Sequence, residues 1–258
     1  MQRLTPDGIG RTPGDETSAV RNGVPAGPWV LDVNRSDRTG IPEAVYAPGK
    51  SPEQVVSIVV ELLERGVSPV IATRCGDDHL RALEPVGGAH RIGSTVMWRC
   101  ADPTGRTIGV VTAGTADGAV ADEAAVTLRA LGHGVHRIDD VGVAGVHRLL
   151  DRVADLRALD ALVVVAGMEG ALPTAVAGLV DTPLVAVPTS TGYGSSLDGF
   201  TALAAMTASC APGVSVVGID NGFGAACVVA RWLRDRQRSP EQGSAGTAAH
   251  VRSGVASP

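Results

Sequence analysis

The chain has 258 residues, of which 44 % are hydrophobic, 19 % charged and 3 % aromatic, with 33 glycines, 16 prolines and a formal net charge of −5. Ordinary globular usage of this kind excludes a wholly disordered chain and a collagen-like repeat. The acidic balance, the scarcity of aromatic side chains and the lack of any apolar run near ~20 residues argue against a nucleic-acid partner and against a membrane span.

Residues 1–28 and 237–258 are rich in Gly, Pro, Ser and Arg without periodicity and read as disordered tails. Met1 to Val20 contains no apolar signal core, and the four cysteines (Cys75, Cys100, Cys210, Cys227) read as free thiols, so the expected location is cytoplasmic. Residues 29–105 read as an arm followed by a small α/β unit. Its clearest element is SPEQVVSIVVELLERG, with Ser51 as N-cap, Pro52 in the first turn and Gly66 as the stop. A strand-like SPVIATRC, a polar helical stretch near Asp77 to Leu83 and an apolar piece near Ser94 to Arg99 follow. Cys75, His79, His90 and Cys100 lack the spacing of a zinc site.

Residues 106–236 change character. TIGVVTAGTAD is a β-branched run ending in glycine, and GAVADEAAVTLRAL reads as the helix after it. The unit recurs as HGVHRIDDVG then HRLLDRVADLRALD, ALVVVAGMEG then LPTAVAGLV, TPLVAVPTSTGYG then LDGFTALAAMTAS, and VSVVGIDNGFG then AACVVARWL. Continuous apolar strands alternating with helices predict a doubly wound parallel sheet covered on both faces, a three-layer α/β domain. Ligands of such sheets sit beyond the carboxyl ends of the strands.

Several strand-end residues carry chemistry. Gly114, Thr115 and Asp117 precede a helix start, where backbone amides and a hydroxyl suit a phosphate, and Thr189, Ser190, Gly192, Gly194, Ser195 and Ser196 offer the same. Neither loop is a Walker or G-x-G-x-x-G sequence, so tight turns are the competing reading. Glu169, flanked by Gly167 and Gly170, is expected on a poorly solvated pocket floor, as a base or as a helix-capping acid. Asp220 and Asn221 share that ambiguity. Cys210, in ASCAPG, is expected to be carried toward the same edge, as a nucleophile or as a small buried hydrophobe. Arg35, Arg38 and Lys50 flank an arm that is either a solvated linker or a basic flap over an anionic ligand.

Taken together, RTGIPEAVYAPGKSPEQ, GTADGAVADEAAVTLRALGH, VVVAGMEGALPTAVAGLVDTPLVAVPTSTGYG and SCAPGVSVVGIDNGFGAA resemble the LarB family of nickel-pincer cofactor synthesis, from about Arg38 to Ala226. The resemblance implies a catalytic half similar to PurE-type aminoimidazole ribonucleotide carboxylases. It also implies carboxylation at carbon 5 of nicotinic acid adenine dinucleotide, with CO2, and hydrolysis of its phosphoanhydride by water. Mg2+ and a homo-oligomer, an octamer by analogy with PurE-like proteins, are implied as well. On that reading Cys210 adds to ring carbon 4 and Glu169 is the base. Gly114, Thr115 and Asp117 hold the ribose phosphate; Gly167, Met168, Gly170, Thr189, Ser190, Gly192, Tyr193, Gly194, Asp220, Asn221 and Gly222 surround the nucleotide. The family's G-T-S-D loop has Ala116 in place of serine here. The alternatives are a non-catalytic nucleotide-binding protein on the same fold and, more distantly, a purine-pathway carboxylase, whose chemistry has no use for Cys210.

Overall fold

The computed structural model describes residues 29–234. The stretches 1–28 and 237–258, read from sequence as tails, lie outside the described residues.

The small unit is built on four strands. α1 (Arg35–Thr39) leads into β1 (Ala44–Tyr46), α2 (Pro52–Glu64), β2 (Val70–Thr73), α3 (Asp77–Leu83), β3 (His90–Ile92) and β4 (Thr95–Trp98), in sheet order β1-β2-β4-β3. α2 starts where its sequence asks it to. The Ser51 hydroxyl accepts the Gln54 amide at 3.3 Å, and Gln54 Oε1 accepts the Ser51 amide at 2.9 Å, a reciprocal cap on two otherwise orphaned donors. Val55, Val59 and Leu62 recur at helical spacing and close over Val70 and Ala72 of β2 and over Trp98. α1, β1 and the β3–β4 hairpin fall where sequence shows only an arm or an undefined piece. β1 lies parallel to β2, and the exposed His90 and Arg91 of β3 are held by antiparallel pairing with β4.

The larger unit holds β5 (Thr107–Thr112), α4 (Gly118–Ala130), β6 (Gly134–Ile138), α5 (Val146–Leu150), α6 (Val153–Arg157), β7 (Ala161–Ala166), α7 (Ala171–Ala177), β8 (Leu184–Pro188), α8 (Phe200–Thr207), β9 (Val214–Val216) and α9 (Gly222–Trp232). Its five strands are all parallel, in order β6-β5-β7-β8-β9. Along β7, Ala161, Val163 and Val165 face α4 and α9, while Leu162, Val164 and Ala166 face the side of α5 to α8. A strand buried on both faces has no reason to alternate in polarity, which is why ALVVVA is apolar throughout. The helix expected over HRLLDRVADLRALD is broken into α5 and α6, because Arg152 N bonds back three residues to Leu149 O. The helix expected from Leu197 begins at Phe200, since Leu197 and Asp198 have φ of 47° and 50°.

α4 joins the two units. Ala121, Ala124, Ala125 and Leu128 pack on the large sheet, while Val126 and Ala130 meet Ile71 and Met97 of the small one. An alanine-rich helix suits that place, because small side chains let two sheets approach a single helix. Gly222 lets α9 start close against α4: a Cβ there would lie 2.2 Å from the Val120 carbonyl oxygen.

Candidate functional site

Parallel winding puts the loops after all five strands at one edge, and two neighbouring cavities open there. One, about 360 Å³, is bounded by the 113–117 loop, Asp140, Gly142, the 166–172 turn and Thr191. The other, about 280 Å³, lies between the two units and is lined by Arg74, Ser94, Ala116, Ala119, Val120, Glu123, Ser190, Thr191 and Asp220. Ala116 and Thr191 line both, so the two cavities adjoin along one strand-end cleft.

Asp117 braces this edge. It is buried; Oδ1 accepts the Thr189 hydroxyl at 2.7 Å and Oδ2 accepts the Gly114 amide at 2.9 Å. Burial pushes its carboxyl above the usual carboxylate value, against the opposing pull of Thr189 and of the Gly114 and Gly167 amides. The Gly114 amide, expected for a phosphate, is therefore engaged by Asp117, while Thr115 and Ala116 are exposed to the cavity. Further bonds tie the loops: Met168 N to Thr191 O at 2.8 Å, Thr191 Oγ1 to Ala116 O at 3.3 Å, and Ser190 N to Asp220 Oδ1 at 2.8 Å. Gly167 must lack a side chain, since a Cβ would sit 2.3 Å from the Thr191 carbonyl. Among the described residues, seven non-glycines have positive φ. Arg74, Asp140, Met168 and Asp220, all on the cleft, are four of them. Such backbone costs of order 1–3 kcal/mol per residue and gathers at functional sites.

Glu169 lines the first cavity but is exposed, contrary to the expectation of a poorly solvated floor. The Met168–Glu169 turn projects beyond Ala166, the last residue of β7, before Gly170 at φ 68° turns into α7. No hydrogen bond or ion pair engages its carboxylate among the described residues. Thr189 is buried behind the rim, whereas Gly192, Tyr193 and Gly194 are exposed and line neither cavity. Asn221 caps α9, its side chain accepting the Gly224 amide at 2.7 Å, and Gly222 serves helix packing.

Cys210 is not brought to this cleft within one chain. α8 runs away from the Thr189 end, and Cys210 lies between α8 and β9, whose Val214 pairs with Leu184 at the start of β8. A crossover helix returns the chain to the amino edge of a parallel sheet, so the expectation of a shared edge fails on connectivity. Cys210 is exposed, not a buried hydrophobe. Burial instead governs Cys75 and Cys227, pushing their thiols up to about 11 and about 12. Arg35 and Arg38 also stay away. They pair with Glu43 at 3.1 Å and Asp32 at 2.6 Å, and Arg231 Nε at the end of α9 donates to Thr39 O at 2.9 Å beside them.

No group of three or more His, Cys, Asp or Glu poised to hold a metal occurs among the described residues. Asp117 and Asp220 are bonded to Thr189 and Ser190 of the loop after β8, and Asp140 is paired with Arg148. The described side chains therefore do not form a preassembled Mg2+ cage. Sequence reasoning missed Arg74 and Glu123. Arg74 directly follows the buried strand VIAT, and a charge at that strand end was the available signal.

Comparison with known proteins agrees with this architecture. The LarB/PurE-like N-terminal domain model matches residues 27–89, and the AIR carboxylase model matches residues 107–245. An uncharacterised protein of Methanocaldococcus jannaschii is 40 % identical over 209 residues, covering 76 % of this chain and 80 % of that protein. Crystal structures of Treponema denticola PurE and of a variant PurE from the same organism align at 20 % identity and a TM-score of 0.42. They cover 49 % and 51 % of this chain and 78 % and 80 % of theirs, respectively. On both domain matches and the archaeal relative, the chain belongs to the LarB family and carries a PurE-like carboxylase domain behind a small α/β unit.

Proposed function

We propose that the protein carboxylates the pyridinium ring of nicotinic acid adenine dinucleotide at carbon 5 and hydrolyses its phosphoanhydride. The products are pyridinium-3,5-biscarboxylic acid mononucleotide and AMP. The observation that carries the reading is the strand-end cleft of a LarB-family chain with an unpartnered Glu169 carboxylate on its wall.

An electron-poor pyridinium does not attack CO2 until something adds to it. The Cys210 thiolate forms a bond to carbon 4, and the ring electrons move to nitrogen, leaving a dihydropyridine that is an enamine at carbon 5. Carbon 5 then bonds to CO2. Glu169 takes the carbon 5 proton, that electron pair forms the carbon 4–carbon 5 double bond, and the thiolate leaves with its own pair, restoring the aromatic ring. Water cleaves the phosphoanhydride. Because Cys210 is exposed at the opposite edge of its own sheet, a second copy supplies it in a homo-oligomer.

Incubation with the dinucleotide, bicarbonate-derived CO2 and Mg2+ tests the reading: AMP release and a product heavier by one carboxylate are expected, and the added carboxylate vanishes with Cys210→Ala. Binding without turnover by folded protein would overturn it in favour of a non-catalytic nucleotide-binding protein. The engagement of the Gly114 amide and the missing hydroxyl at Ala116 are the features favouring that second reading.

A further inference from the structure

The cavity between the two units has no part in the chemistry above, yet it contains an unusually constrained guanidinium. Arg74 Nε donates to Glu123 Oε1 at 3.0 Å and Nη2 to Glu123 Oε2 at 3.3 Å, and Nη2 also donates to the Asp220 carbonyl. Glu123 is 5 % exposed at its side chain and accepts the Phe223 amide at 3.2 Å, so the carboxylate holding Arg74 is itself fixed. The Tyr46 ring lies below, 5.7 Å from Cζ to its centroid. One edge and one face of the guanidinium are thus taken, while the two N–H groups of Nη1 have no partner among the described residues. Arg74 keeps this pose at φ 55°, a conformation arginine rarely adopts.

A structural clamp needs only the Glu123 edge. A planar donor locked through Nε and Nη2, in a residue that lines a cavity and keeps the two N–H groups of Nη1 unspent, is a preorganised receptor for an oxyanion. The charges select among oxyanions. Glu123 balances Arg74, and the Asp220 carboxylate, accepting from Ser190 N, adds a negative charge to the same cavity. A phosphate would meet that charge unassisted. A carboxylate carried on a cationic ring brings its own compensation.

We propose that Arg74 recognises the ring carboxylate of the substrate and thereby selects the acid over the amide form of the dinucleotide, with Asp220 facing the positive ring. This rests on the function proposed above. The ring then lies at the seam formed by Ala116 and Thr191, its carboxylate toward Arg74 and carbon 5 toward the cavity of Glu169.

The test compares binding of nicotinic acid adenine dinucleotide and of its nicotinamide counterpart to the full chain. The wild type is expected to prefer the acid. In Arg74→Gln/Glu123→Gln, which leaves no unpaired buried charge, the acid should bind roughly tenfold or more weaker with the amide little changed, the scale of one hydrogen bond to a charged group. Arg74→Lys keeps the ion pair but lacks the second donor edge. It should lose the same preference, and it serves if the double variant fails to fold. Equal weakening of both dinucleotides would assign Arg74 to a phosphate or to a structural role and overturn the proposal. An unchanged preference in both variants, with a wild type that still turns over the acid, would sink the Arg74 assignment alone, whereas a wild type that binds neither dinucleotide would remove both readings.

Discussion

Asp117 combines an energetic cost with a structural duty. Its raised carboxyl arises from burial, and its three hydrogen bonds recover only part of that cost. A group whose folded value lies above its unfolded value binds more protons in the native state. Its contribution to stability is present below the ordinary aspartate value of 3.8 and is lost as pH rises through the folded value. Urea unfolding from acid toward neutral pH should therefore show the wild-type advantage over Asp117→Asn shrinking with rising pH, then levelling. A flat difference would show that the carboxyl is not shifted. Among the thiols, burial makes Cys75 and Cys227 poor nucleophiles, with values of about 11 and about 12, whereas Cys100 and Cys210 are exposed. Iodoacetamide followed by peptide mass spectrometry should label Cys100 and Cys210 in the native protein, with Cys75 and Cys227 appearing only in denaturant.

At the scale of elements, the legible parts of the fold were those with purely local causes. α2 announces itself through Ser51, Pro52 and Gln54, and its cap is testable: Ser51→Ala should cost about 1 kcal/mol in chemical denaturation. In the larger sheet β5, β7 and β8 were legible because burial on both faces leaves apolar runs without interruption, whereas the partly buried edge strands β6 and β9 were legible by their place in the repeating strand–helix unit. β1 and β3 were not, since Ala44–Tyr46 and His90–Ile92 are too short to carry a pattern and exist through pairing with β2 and β4. The site divides in the same way. Glycine and hydroxyl clusters marked the strand-end loops, but which amide Asp117 occupies depends on a contact with Thr189, 72 residues away in the chain. Arg74 and Glu123, 49 residues apart, meet only because α4 lies between the two sheets. Enlarging either face of that helix should confirm its double burial: Ala124→Leu toward the large sheet and Ala130→Leu toward the small one are each expected to cost on the order of 1–3 kcal/mol.

For the whole molecule, α4 makes the two units a single cooperative body, since its opposite faces complete different cores. Trp29 and Trp98 lie in or against the core of the small unit, and most of the helix belongs to the larger one. In a Trp232→Phe variant, whose remaining tryptophans both report on the small unit, tryptophan fluorescence and far-ultraviolet circular dichroism should therefore give coincident urea midpoints, while separate midpoints would mean that the units unfold independently. The position of Cys210 leads to a sharper test of assembly. Cys210→Ala and Glu169→Gln should each be inactive, the latter by about a hundredfold or more as expected for a lost general base. Co-assembled in one oligomer they should recover measurable carboxylation, because some sites then combine an intact thiol from one copy with an intact carboxylate from another. No recovery in verified mixed oligomers would place both groups in one chain's site.

The mesh of Asp117, Thr189, Met168, Thr191, Ser190 and Asp220 also bears on motion. Segments that look like glycine-rich connectors are fastened to one another across the sheet edge, so the rim opens only when several bonds break together. The amide hydrogens of Gly114, Met168 and Ser190 should then exchange with solvent as slowly as those of the strands below them. A ligand arriving there meets a surface already near its final shape, and association should approach the rate of diffusional encounter without waiting for a loop to fold.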